Sequence, residues 1–470
     1  MEKTRKHLAI DIGASSGRHM IAYMEGGKIT LKEIYRFDNE MTNKDGKLTW
    51  DLNSLFCQIL NGMRKCFEDG HIPDSMAIDT WAVDYVLLDE DNRVIGDTFG
   101  YRDGRTKDMD KVVYESVSEE SLYQKTGIQK QIFNTIYQLT ADKIGTPEKY
   151  NKAKTFLMLP DYFNFLLTGA KKSEYTNATS TNLVDPETGD WDRELIRSVG
   201  LRDDMFLPLS MPGSFVGTLK KEIVDQVGFD CDVLMCASHD TASAVMAVPA
   251  KEEDFVYISS GTWSLMGTEL TNANRSEASR AGNFTNEGGY GRRYRYLKNI
   301  MGLWMIQSVR KEIAKEISYS VIAKEAENNG DFASRVDVAS DRFFSPESMV
   351  EEIQNYCKES NQPVPKRIGQ IAAVVYKSLA ISYARTLKEI EINTGKTFDS
   401  IYIVGGGSNA DYLNRLTAQL SGKRVYAGPG EATAIGNALA QMLRAKEFTD
   451  INEARECVYR SFAVKEYLPN

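Results

Sequence analysis

One order of elements occurs twice in this chain. Alternating apolar residues run from His7 to Ile12, a tight turn follows at Gly13–Gly17, and the alternation resumes from Arg18 to Met24. A Gly26-Gly27 turn then leads into Ile29–Phe37, and the three segments read as a stranded meander. A helical period follows at Leu52, Leu55, Phe56, Ile59, Leu60 and Met63, with Asp51 placed to cap it, and an apolar strand is expected over Met76–Leu88. The second occurrence opens with Phe255–Ser259, turns through Ser259-Ser260-Gly261-Thr262 and returns along Trp263–Thr268. Farther on, the spacing of Ile371, Val375, Leu379, Tyr383, Leu387 and Ile390 predicts a helix from Ile368 to Asn393. Strand Ile401–Val404 then runs into three glycines, and a small-residue helix starts near Ala432. The halves read as diverged copies of one α/β unit, with a ligand expected between the copies.

Length agrees with duplication, since 470 residues are too many for one ordinary domain and enough for two cores. The boundary is expected near Pro249, giving domains 1–248 and 249–470. With 42% hydrophobic and 26% charged residues the chain is globular in composition. A net charge of -9 argues against nucleic acid as a partner, so an anionic ligand would have to be held by local donors. The basic opening Met1–His7 leads into a short strand and not an apolar signal core, so a cytoplasmic location is expected. No apolar run approaches the ~20 residues a membrane span needs, so no membrane partner is expected. The cysteines at 57, 66, 231, 236, 357 and 457 include no CxxC pair and no zinc spacing. They are expected to be reduced, with Cys57–Cys66 and Cys231–Cys236 disulfides disfavoured. A monomer or a homodimer fits equally.

The chemistry-bearing motifs lie at the turns. Asp11-Ile12-Gly13-Ala14-Ser15-Ser16-Gly17-Arg18 joins two strands through small residues whose amides and hydroxyls can approach an anion. It is not a Walker A loop, because GxxxxGK[ST] is absent and a strand follows. Asp11, at the end of the first strand, is placed to hold the water shell of Mg²⁺. The turn Ser259–Thr262 repeats the small-residue chemistry, and Gly405-Gly406-Gly407-Ser408 would let a flat ligand such as adenine reach the backbone. In Ala237-Ser238-His239-Asp240-Thr241-Ala242-Ser243-Ala244, Asp240 is suited either to take a proton from an attacking hydroxyl or to cap the helix that follows. His7, His19 and His71 are expected to be ordinary surface or edge residues, and His239 to contact substrate. Trp81 divides between core packing and stacking on a sugar face, while Trp263 and Trp304 are expected in the core.

Asp11–Arg18, Ser259–Thr262, Gly405–Gly407 and Glu431-Ala432-Thr433-Ala434-Ile435-Gly436-Asn437 together resemble the FGGY carbohydrate kinases, over nearly the whole chain. That resemblance implies two duplicated ribonuclease H-like α/β domains, of the actin, hexokinase and Hsp70 type, with an interdomain cleft. Further runs are similar to the branch acting on L-rhamnulose: Ile78–Asp84, Tyr101-Arg102-Asp103, Phe133-Asn134-Thr135, Leu159–Phe163, Glu174–Thr179, Ala237–Ala244 and Lys298–Trp304. The implied activity is ATP-dependent phosphorylation of the C1 hydroxyl of L-rhamnulose in L-rhamnose catabolism, with Mg²⁺. The resemblance implies that Ala14, Ser15, Ser16, Gly17, Arg18, Thr262, Gln307 and Gly405 bind ATP. It likewise implies that Ala82, His239, Asp240, Thr241 and Asn299 meet the sugar and that Asp240 is the base. Two positions depart from the family pattern: Ala82 stands where glycine is usual, and after the glycine run Asn409 comes one place early, with Ala410 at the usual asparagine position. Kinases for L-fuculose or L-xylulose, an actin- or Hsp70-like ATPase, and a silent sugar-binding regulator are the alternatives.

Overall fold

Period-two patterning at the start of the chain produces the expected meander. Lys6–Ile12, Ser16–Glu25 and Lys28–Asp38 are strands, each antiparallel to the next. In this computed structural model, which describes residues 4–344 and 346–469, the first three residues of the basic Met1–His7 opening lie outside the described residues. Lys6–Ile12 also pairs in parallel with Ser75–Thr80, a register that sets Asp11 beside Asp79. Asp232–Leu234 and then Phe215–Thr218 complete a six-stranded sheet. The helix Leu52–Glu68 starts where Asp51 Oδ1 accepts from the Ser54 amide at 2.9 Å. Its Leu55, Ile59, Leu60 and Met63 are buried in one cluster with Leu8, Ile10, Met76 and Val233 from the sheet.

The single strand expected over Met76–Leu88 is two strands. Ser75–Thr80 belongs to the large sheet, whereas Tyr85–Leu88 pairs antiparallel with Thr155–Met158 in another core. Val83 turns the chain at φ 67°, a left-handed conformation that is costly for a β-branched residue. Its carbonyl accepts from Thr135 Oγ1 at 2.7 Å and Gln138 Nε2 at 3.1 Å, bonds that hold the turn. The histidine expectation also fails in part. His7 is buried between Ser75 Oγ and Glu447 Oε1, each 2.8 Å from a ring nitrogen. His19 is buried too, with Nε2 3.0 Å from the Ile59 carbonyl and the ring filling the space that a side chain at Gly62 would need.

Two compact units form, and the chain crosses between them more than once. The first contains the chain up to Ala247 together with Leu270–Tyr296 and Thr433–Cys457; the second contains Val248–Glu269, Leu297–Ala432 and the end of the chain from Val458. In the second unit the sheet runs Tyr294–Met301, Trp263–Leu270, Val256–Ser260, Ser400–Val404, Arg424–Ala427, Lys465–Tyr467. The helix Ile368–Thr394 is buried along much of its length, including Ile371, Val375, Leu379, Tyr383, Leu387 and Ile390. The late helix Ala432–Arg444 returns to the first unit's sheet. There Gln441 Nε2 donates to the Leu8 carbonyl at 3.1 Å and Gln441 Oε1 accepts from Ser75 Oγ at 2.7 Å. All six cysteines are free thiols. Among the described residues no helix is long and apolar enough to cross a membrane.

Candidate active site

In the first unit the chain leaves the strand Asp232–Leu234, passes Ala237–His239 and enters the helix Asp240–Met246. This loop is pinned from several sides. The Ser238 carbonyl accepts from the Thr80 amide at 3.0 Å and from Asn177 Nδ2 at 3.3 Å. Glu174, fully buried, accepts from Ser238 Oγ at 2.6 Å and the Ser238 amide at 3.2 Å, and also from the amides of Thr176 and Asn177. Burial pushes the Glu174 carboxyl up, and those donors pull it back without cancelling the effect.

Asp240 is the first residue of its helix, and His239 holds the cap position without a side-chain cap bond. The Asp240 carboxylate is 30% exposed. Its Oδ1 accepts from the Thr241 amide at 2.6 Å and from Thr241 Oγ1 at 3.1 Å. Asp240 thus stands one residue past the cap position, with Oδ1 occupied by a first-turn amide. His239 Nε2 lies 3.5 Å from Asp240 Oδ1. On the other face of the ring, His239 Nδ1 is 3.0 Å from Arg295 Nη2 and 3.3 Å from Glu287 Oε2.

A group of carboxylates gathers at the parallel strand ends. Asp11 Oδ2 is 3.2 Å from Arg18 Nε, its cross-strand neighbour. Asp79 is fully buried; its Oδ2 accepts from Asn437 Nδ2 at 2.6 Å and its Oδ1 has no partner. Burial first, then the charge of Asp11 and more weakly that of Asp240, pushes the Asp79 carboxyl well above the usual range. The turn between the first strands is closed by the Gly13 amide donating to the Ser16 carbonyl at 2.9 Å and by Asn39, whose Nδ2 donates to the Gly13 carbonyl at 2.9 Å. Ser15 is left exposed and Ala14 half-buried. Gly17 admits no side chain, because the Phe37 ring stands 2.2 Å from where its Cβ would be. Ala82 is half-buried, its carbonyl accepting from the Asp84 amide at 2.9 Å. Trp81 is core: its ring centre is 4.1 Å from that of Trp50, and both indole nitrogens donate to Asp84 Oδ2.

In the second unit a cavity of about 610 Å³, within the usual size of a small-ligand site, is lined by Gly261, Gln307, Tyr376, Gly406, Asn409 and Tyr412 among others. The glycine run has divided duties. Gly405, at φ 81°, and Gly407 pack on Ser260, where a Cβ would stand 2.9 Å from its carbonyl and 1.9 Å from its Oγ respectively. Gly406 faces open space and borders the cavity, presenting backbone there, while Gly405 holds the turn against Ser260. Thr262 lies next to the lining, its carbonyl accepting from the Trp304 amide at 3.1 Å. Asn299 Oδ1 is buried and carries no hydrogen bond. Among the described residues no group of three or more His, Cys, Asp or Glu side chains is arranged to hold a metal unaided.

Arg295 and Glu287 lie outside every motif read from the sequence, and the pairing of Asp79 with Asn437 is not legible in the motifs that contain them. Arg295 stands between Tyr294 and Tyr296 in a strand, a charge among aromatics that signals a buried partner, but nothing nearby names Glu287 or His239. Asp79, a carboxylate in an apolar strand, carries the same signal, and its partner Asn437 is 358 positions away.

Known proteins resemble the chain over its whole length. The model for the FGGY family of carbohydrate kinases, N-terminal domain, matches residues 7–247, and the C-terminal domain model matches 256–445. A protein named Rhamnulokinase from Halalkalibacterium halodurans is 48% identical over 98% of each chain. Another from Oceanobacillus iheyensis is 46% identical, again over 98% of each, and one from Bacillus subtilis is 43% identical over 98% of this chain and 95% of its own. Among solved structures, a ligand-bound xylulose kinase from Lactobacillus acidophilus superposes with a TM-score of 0.82 at 15% identity, covering 99% of this chain and 94% of that one. A Plasmodium falciparum glycerol kinase with ADP gives 0.77, also at 15%, covering 99% and 95%. At that identity the structures establish the shared two-domain α/β fold.

Proposed function

This chain belongs to the FGGY family of carbohydrate kinases, and on that premise we propose that it transfers the γ-phosphoryl group of ATP to the C1 hydroxyl of L-rhamnulose. The observation that carries the sugar assignment is the similarity, at 43–48% identity over at least 95% of both chains, to proteins named Rhamnulokinase. The geometry of Asp240 supports the chemistry. Its two hydrogen bonds fall on Oδ1, so Oδ2 is the oxygen that takes the hydroxyl proton. As that proton leaves, the C1 oxygen bonds to phosphorus, the bond from phosphorus to the bridging oxygen breaks, and ADP departs.

The division proposed is 1–248 for sugar and base and 249–470 for nucleotide. Ala82, His239, Asp240, Thr241 and Asn299 bind the sugar. Thr262, Gln307 and Gly405 bind ATP, with the cavity beside Gly406 taking the flat base, and Ala14, Ser15, Ser16, Gly17 and Arg18 neutralise phosphate charge. Asp11, beside the buried and unpartnered Asp79 Oδ1, would hold Mg²⁺ through water, since that ion keeps several waters and phosphate oxygens and takes only one or two carboxylates. Bound there, Mg²⁺ supplies charge neutralisation on the transferring phosphate.

An assay of ADP release over a panel of ketoses, polyols and aldoses tests this reading. L-Rhamnulose should give the highest kcat/KM. L-Rhamnose should be poor, since an aldose has its carbonyl carbon where the attacking hydroxymethyl must be. A preference of about tenfold or more for L-fuculose or L-xylulose would reject the sugar assignment, and ATP turnover indifferent to every sugar would reject the kinase reading.

A further inference from the structure

We infer that Arg295, held by Glu287, fixes the His239 imidazole as its Nε2–H tautomer, so that His239 meets the sugar as a hydrogen-bond donor. The inference rests on the sugar-binding role proposed above for His239. A guanidinium nitrogen carries only N–H groups and can accept nothing. Arg295 Nη2 lies 3.0 Å from His239 Nδ1 with hydrogen-bond geometry, so Nδ1 must present its lone pair and the ring proton resides on Nε2. The same Nη2 lies 3.0 Å from Glu287 Oε2, an ion-pair contact without hydrogen-bond geometry, so the hydrogen bond of this nitrogen is the one directed at the imidazole. Arg295 Nε, donating to the Gly288 carbonyl at 2.9 Å, leaves the guanidinium plane no freedom to swing away.

Burial makes this arrangement stiff. Arg295 is wholly buried and the Glu287 side chain is 8% exposed, so each requires the other as counter-charge. Burial alone would raise the Glu287 carboxyl, yet the Arg295 charge beside it holds it below the usual carboxylate range. Glu287 lies in the strand Thr285–Gly288 and Arg295 in the adjacent strand Tyr294–Met301, so backbone pairing sets their separation. At the far side of the ring, the protonated Nε2 lies 3.5 Å from Asp240 Oδ1. A donor at 239 beside an acceptor at 240 selects a sugar presenting one oxygen to receive a hydrogen bond and one hydroxyl to give its proton. Glu287 and Arg295 are positioning residues in this account, acting through His239.

The test reads the ring nitrogens directly. In ¹⁵N-histidine-labelled full-length protein, with His239 assigned by comparison with His239→Asn, Nε2 should give a pyrrole-type and Nδ1 a pyridine-type signal without any sugar present. A pyrrole-type Nδ1 would mean that Glu287, not Arg295, is its partner, and would overturn the inference. Arg295→Met should switch the tautomer to Nδ1–H donating to Glu287. It should raise KM for the sugar by about tenfold or more while leaving KM for ATP unchanged. Should that variant misfold through its unpaired Glu287, Arg295→Met/Glu287→Met removes both charges and should give mixed tautomers with the same split in KM. A pyridine-type Nδ1 in the native protein together with an unmoved sugar KM in the variants would leave the tautomer standing and overturn the role of His239 at the sugar.

Discussion

Asp240 carries the heaviest chemical demand of any single residue, and its surroundings separate that demand from a structural one. Because His239 occupies the cap position, Asp240→Asn should leave the helix intact; asparagine preserves the shape and still accepts from Thr241 through its carbonyl oxygen. What it removes is the proton acceptor. Turnover should fall by at least about 100-fold while ATP affinity is unchanged, measured by single-turnover phosphoryl transfer and nucleotide titration. Turnover within about threefold of the native rate would exclude Asp240 as the base.

At the scale of elements, the helix Ala432–Arg444 makes a prediction that runs against helix propensity. Gly→Ala in an exposed helix interior ordinarily gains about 1 kcal/mol. At Gly436 the added Cβ would stand 1.7 Å from the Ser243 carbonyl oxygen, a backbone atom that cannot yield without moving the helix that begins at Asp240. Gly436→Ala should therefore destabilise the fold by about 1–3 kcal/mol and lower kcat as well. The measurement is the denaturant midpoint at unchanged slope, beside steady-state kinetics. A raised midpoint would show that the two helices do not approach so closely.

For the molecule as a whole, buried titratable groups set opposing pH trends. Desolvation lowers His19 from 6.5 to about 4, with its bond to Ile59 opposing. The unfolded chain then binds the extra proton first, so the contribution of His19 is full above about pH 6.5 and declines as pH falls toward 4, by on the order of 3 kcal/mol in total. Buried carboxyls with raised values, Asp84 at about 6 among them, act the other way and weaken the fold as pH rises. Their sum masks His19, but a difference does not: between pH 6.5 and 4 the native chain should lose stability relative to His19→Gln by that order, read from denaturant unfolding at each pH. A difference independent of pH in this window would refute the buried neutral histidine.

Local pattern was enough to determine the meander, the Asp51-capped helix, the long helix from Ile368 and the turns where glycine is required, because these depend on neighbours within a few positions. The loop carrying Asp240 was legible for a related reason: small residues after an apolar strand identify a backbone that something must approach. Tertiary structure decided the rest. Val83 breaks a continuous apolar run because Thr135 and Gln138, 52 and 55 positions on, bind its carbonyl. His19 is neutral and buried because Gly62 leaves room for its ring. Arg295 reaches His239 from 56 positions away, and Asn437 reaches Asp79 from 358. Hydrogen bonds and charges act over a few ångströms of space in a medium whose polarity depends on burial, and neither separation nor burial is a function of distance along the chain.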